Sequence, residues 1–131
     1  MPFLERIEFS APIPDIVDEK TNAANSKMVI AKWNLGPKVP SERPGRNVPY
    51  WKEMAVSWQV SEQEARRRRC ANCEYYDNTV EMNEAMESIP FNALDEGAGG
   101  RGYCHKFEFI CHDLRSCLAW EAKEYEMPEE D

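Results

Sequence analysis

The chain lacks any run of about 18 apolar residues, which excludes a helix that spans a membrane. Residues 1–15 contain no basic segment followed by an apolar one and do not read as a secretory signal. With Met1 at the front, the protein is expected to be made and kept in the cytoplasm, where thiols stay reduced. A surplus of basic residues is missing as well. The formal net charge is −8, which argues against general affinity for nucleic acid, because phosphate binding needs Lys and Arg to displace counterions. No internal repeat is visible, and residues 98–102 (AGGRG) lack the Lys-Ser/Thr ending of a phosphate-cradling loop. The cysteines do not number an even set. Five of them fit poorly with complete pairing, so a disulfide framework is not expected.

What is present suits one small domain. Hydrophobic residues make up 42% and charged residues 31% of the 131, yet mean hydropathy is −0.70 and there are nine prolines. Much of the chain must therefore be polar connection around a small core. Such cores are commonly supplemented by a metal, a disulfide or a partner surface, since burial alone barely offsets the entropy of ordering the chain.

Along the chain, residues 1–50 read as a proline-rich, extended N-terminal region with short strands. Ile7 and Phe9 alternate with polar residues, residues 18–26 are loop-like, and Val29, Ala31, Trp33 and Leu35 share one face with period two, predicting a strand over 28–35. Residues 36–49 hold four prolines and two glycines and predict an extended connector or an arm reaching a partner. Residues 51–131 form the second region. Val56, Trp58 and Val60 alternate and predict another strand, and Ser61-Glu62-Gln63-Glu64 has the form of a capping box opening a helix over about 62–69. The run Arg66 to Arg69 reads as a phosphate or acidic-partner contact or, more simply, as the solvated face of that helix. Met82, Ala85, Met86 and Ile89 predict a short amphipathic helix that Pro90 ends. Phe107, Phe109 and Cys111 share a face of a predicted strand, which makes Cys111 a small apolar core residue. A turn and helix are expected over 113–127, closing in an acidic, solvating tail. The fold class expected is small α+β, irregular and loop-rich, with short helices and a few short antiparallel strands wrapped around a metal cluster.

The cysteines carry the chemistry. Cys70 and Cys73 form a C-x2-C pair, thirty residues separate Cys73 from Cys104, and twelve separate Cys104 from Cys117. A C-x2-C pair sets two sulfurs to grip one centre, and two further thiolates complete a tetrahedral set. Zinc or an iron–sulfur cluster satisfies this pattern. Zinc sites usually add a second C-x2-C knuckle or a compact His pair; here the second half offers Cys104, His105, Cys111, His112 and Cys117 without a knuckle, and a zinc site using His105 or His112 is one alternative. No acid–base pair or open coordination position accompanies the cysteines, so catalysis is not expected.

The flanking residues narrow the choice. Cys70-Ala71-Asn72-Cys73-Glu74-Tyr75, then Gly102-Tyr103-Cys104-His105-Lys106-Phe107, then Cys117-Leu118-Ala119-Trp120 resembles the high-potential iron–sulfur proteins, in which C-A-N-C-x-aromatic, G-x-C-x-x-F and C-x-A-W recur in that order. The resemblance spans about residues 61–121. It implies a 4Fe-4S cluster with Cys70, Cys73, Cys104 and Cys117 each on one iron, and Tyr75, Phe107 and Trp120 as its wall. Two features depart from the family: the gap before Cys104 is about twice the usual one, and Cys111 has no counterpart.

Two roles suit such a centre. In the first, the cluster staples a small structural or interaction subunit that docks on other protein subunits through its N-terminal arm in a larger assembly, for instance a phage virion. In the second, the protein is a soluble one-electron carrier with a redox partner. A zinc-stabilised interaction module is the third alternative.

Overall fold

The computed structural model describes residues 13–123. Among these residues, four helices and a three-stranded antiparallel sheet make a small α+β fold. The helices are α1 (Glu19–Trp33), α2 (Val48–Trp58), α3 (Glu62–Arg67) and α4 (Val80–Met86), and the strands β1 (Tyr76–Asp77), β2 (Arg101–Cys104) and β3 (Phe109–His112) lie in the order β1-β2-β3. None of these helices is long and apolar enough to cross a membrane.

The register of the sheet divides the interior. Tyr76 faces Cys104, Gly102 faces Cys111 and Cys104 faces Phe109 across the strands. Because side chains alternate between faces, these five residues share one side of the sheet. That side packs with Cys70, Cys73 and Val29 into one core cluster. Tyr103 and Ile110 point the other way, onto Met82, Ala85, Met86 and Ile89 of α4 and the turn after it. All four residues of β3 are buried for this reason. A third cluster, built on Trp51, Met54, Ala55 and Ala65, joins α2 to α3.

Several local expectations hold. Ser61 caps α3 by accepting from the Glu64 amide at 3.0 Å. Met82, Ala85 and Met86 form the buried stripe of α4, and residues 34–47 are irregular. The expected loop over 18–26 and strand over 28–35 are instead the fifteen-residue helix α1. Asp18 caps it, accepting from the Thr21 amide at 2.8 Å. Its buried positions, Asn22, Ser26 and Val29, follow helical spacing, but two of the three are polar and leave no mark in an apolar pattern. Their task is at the sheet edge: Asn22 accepts from the Ile110 amide at 2.7 Å, and Asn25 donates to the Glu108 carbonyl at 2.8 Å. α1 thus covers the open edge of β3, and residues 19–33 are part of the fold and not an extended arm.

The strand expected over 55–60 is likewise absent. Trp51, Met54 and Ala55 are buried at helical spacing in α2, while Val56 is 78% exposed. The helix expected over 113–127 does not form in its described portion. Residues 113–123 are turns and irregular chain, tied down by isolated bridges from Ser116 to Gly36 and from Ala122 to Cys73. The alternation at Ile7 and Phe9 lies outside the described residues.

Candidate metal centre

The cysteines reach one cavity on four pieces of chain, with Cys70 and Cys73 sharing a turn. α3 ends at Arg67, and the next residues turn through a short 3-10 segment, Cys70–Asn72, that carries the C-x2-C pair. This loop is clamped to the C-terminal segment. The Cys70 amide donates to the Arg115 carbonyl at 2.6 Å, and the Glu74 amide to the Glu121 carbonyl at 2.9 Å. Cys104 closes β2 and Cys111 lies in β3. Cys117 is held by its neighbours, with Ser116 and Gly36 exchanging two backbone bonds and the Leu118 amide donating to Trp33 at 2.7 Å.

All five thiols are free, and all five line one cavity of about 20 Å³. In comparable measure one water needs about 10–15 Å³. Aromatic rings line it: Tyr75, Phe107 and Trp120, the rings the resemblance implies, together with Tyr76 and Phe109. The last two are additions that the motif does not point to. Cys111 is a further one. It is buried in the core as expected, yet its thiol lies against that of Cys70 and shares the cavity with the other four.

Burial and the backbone act oppositely on the thiols. The hydrogen bond with Cys111 and burial push the Cys70 thiol well up. Burial also raises Cys104 to about 11 and Cys117 to about 12. Against this, the Phe107 and Lys106 amides donate to the Cys104 sulfur, and the Ala119 amide donates to that of Cys117. Backbone N–H groups aimed at sulfur favour the thiolate, the form that binds metal. Apolar walls therefore oppose ionisation while the turns favour it, and a bound cation settles that conflict.

The two histidines lie elsewhere. His105 bonds Asp77 at 2.9 Å and is exposed. His112 is on the opposite face of the sheet, with Nε2 at 2.7 Å from Asp95 and Nδ1 at 3.0 Å from Arg115. Among the described residues, no three His, Cys, Asp or Glu side chains meet closely enough to hold a single metal ion.

The arginine run is woven into the same region, and most of it is not the solvated face of the simpler reading. Arg66 pairs with Glu62 at 2.9 Å, and Arg68 lies 5.1 Å from the ring centres of both Trp58 and Trp120. Arg69 donates to the Leu114 carbonyl at 3.0 Å, and only Arg67 is largely exposed, at 74%. Trp120 is fixed further by its indole N–H, which donates to Asn72 Oδ1 and the Arg69 carbonyl. Asn72 thereby ties the C-A-N-C turn to the wall behind it.

Comparison with protein-family models, curated proteins and solved structures found no match.

Proposed function

We propose that the protein binds one 4Fe-4S cluster at Cys70, Cys73, Cys104 and Cys117, and that the cluster staples a small structural or interaction subunit. The observation that carries this reading is the set of thiols around one ring-lined cavity, with backbone amides turned toward two of the sulfurs. A single zinc ion needs four donors at about 2.0–2.3 Å from one point, whereas a cluster is held by thiolates spaced around it. The thiols gathered on one cavity and the outlying histidines favour the second. The cavity is measured between van der Waals surfaces. Metal bonded to sulfur at about 2.3 Å lies inside those surfaces, so the thiols themselves supply part of the room. The cluster would bring a one-electron couple, and Tyr75, Tyr76, Phe107, Phe109 and Trp120 would exclude water from it.

The staple role follows from where the ligands sit. The three segments that bear them make few regular contacts with one another beyond the short sheet, and one centre would join them all. The docking role loses the support drawn from residues 19–27 and 36–49, which belong to the fold. Other protein subunits remain the expected partners. One observation favours the carrier reading. Cys104, Cys117, Phe107 and Trp120 are only partly buried, leaving the centre near the surface on that side. Voltammetry together with the state of assembly separates the two roles. An electrochemically inert centre in a stable oligomer supports the staple, and a reversible couple in a monomer overturns it in favour of the carrier.

A further inference from the structure

Arg115 is 4% exposed, and its guanidinium pairs with no carboxylate among the described residues. It donates to the carbonyls of Pro37, Leu94 and Lys38 at 3.2, 2.7 and 3.3 Å and to His112 Nδ1 at 3.0 Å. All four acceptors are neutral, since a His112 that accepts at Nδ1 and donates to Asp95 through Nε2 carries one proton. Asp95 is reached only through that ring and is already committed to Arg101 by bonds of 2.8 and 3.0 Å. Arg101, Asp95, His112 and Arg115 together therefore leave one positive charge in the interior. An uncompensated buried charge costs several kcal/mol, about the scale of a small domain's whole stability.

The missing anion has a place on the page. Arg115 borders a second cavity, of about 330 Å³, and Cys111 and Phe109 line both that cavity and the one ringed by thiols. The guanidinium and the sulfurs thus share Cys111 and Phe109 as neighbours across the two cavities. The Arg115 carbonyl also holds the Cys70 amide. Neutral thiols do not balance the cation; four thiolates on a cluster do.

We infer that Arg115 is the buried counter-ion of the metal centre, offsetting the negative charge that thiolate ligation brings into the interior and making the centre easier to reduce. This rests on the reading of the cysteines as a cluster site. Accepting one electron adds one negative charge to the centre, and a fixed cation nearby stabilises that reduced form more than the oxidised one.

The test begins with iron and sulfide in the purified wild-type chain; without them the cluster reading fails and takes this inference with it. With the centre present, midpoint potentials are compared for Arg115→Gln and Arg115→Lys. The Gln variant keeps donors and loses the charge, so its reduction constant should fall about tenfold or more, a lowering of about 59 mV or more for one electron. The Lys variant keeps the charge and loses most of the hydrogen bonds, and should stay near wild type. Equal potentials in wild type and Gln, with iron content intact, would overturn the inference alone. If the Gln variant holds no cluster, the Lys variant decides. A loaded Lys variant of near-native potential upholds the charge role, and an empty one shows that Arg115 acts through its hydrogen bonds.

Discussion

Gly102→Ala is the substitution whose effect the geometry specifies most closely. Gly102 is buried in β2 opposite Cys111, and the ring of Tyr76 lies flat against its α-carbon, so a β-carbon would fall within that ring. The chain has two responses. It can expel the ring, which forfeits the burial of a large aromatic side chain, about 1.5–3 kcal/mol. Expulsion also breaks the 2.6 Å bond from the Tyr76 hydroxyl to Asp113, about 1.5–3 kcal/mol for a bond to a charged acceptor. Or it can move β2, whose pairings on both sides set Cys104 and Cys111 in place. Either way the loss should be about 3 kcal/mol or more, a large part of the total for a domain of this size. Urea unfolding of the loaded protein measures it, and iron content should fall with it. The decisive control is Tyr76→Ala: with the ring gone, adding Gly102→Ala should cost almost nothing further. If Gly102→Ala costs the same in both backgrounds, or less than about 0.5 kcal/mol alone, the steric account is wrong.

Asp95→Asn should be costly, about 3–5 kcal/mol by chemical denaturation, because it leaves Arg101 buried without its carboxylate partner. Although burial opposes it, bonds from Arg101, His112 and the Asn92 amide hold the Asp95 carboxyl well below its ordinary value. A carboxyl lowered in the folded state stabilises above its unfolded pKa, about 3.9, and that contribution fades as pH falls below it. Acid unfolding monitored by fluorescence should begin near pH 4 in wild type, with a shallower acid dependence in Asp95→Asn. In metal-free protein the raised thiols act in the opposite direction. Their stabilisation is complete below the unfolded thiol value, about 8.5, and drains away as pH climbs toward 11–12 at Cys104 and Cys117. Alkylation of those two thiols at pH 8 should accordingly be slower than in the unfolded chain. Cys111→Ala should keep the centre and lose about 1–2 kcal/mol of thermal stability, the scale of removing a small buried group; loss of iron would make Cys111 a ligand.

How far the sequence discloses the molecule depends on what kind of residue is buried. α3 and α4 are legible because their signals are local: a Ser61 cap in one, a Met82, Ala85, Met86 stripe in the other. α1 is hidden because its inner face is Asn22 and Ser26: Asn22 satisfies a strand edge that only tertiary structure reveals, and Ser26 donates back to the Asn22 carbonyl. α2 is misread for a related reason. Val56, Trp58 and Val60 alternate by accident, while the residues that pack are Trp51, Met54 and Ala55. The site is the more legible part. Cysteine spacing and flanking rings place Cys70, Cys73, Cys104, Cys117, Tyr75, Phe107 and Trp120 on one cavity. Tyr76, Phe109 and Cys111 join through strand register, which spacing along the chain does not encode. The arginine run is a case of composition without context, since three of its four cations are used internally.

The most direct test of the central claim is the metal and acid-labile sulfide content of the protein purified without air, in wild type and in Cys104→Ser. About four irons and four sulfides per chain, a brown colour with absorption near 400 nm, and loss of all three in the variant are the result predicted for a four-thiolate cluster. A colourless protein carrying one zinc, or a chain with neither metal nor sulfide, would contradict it.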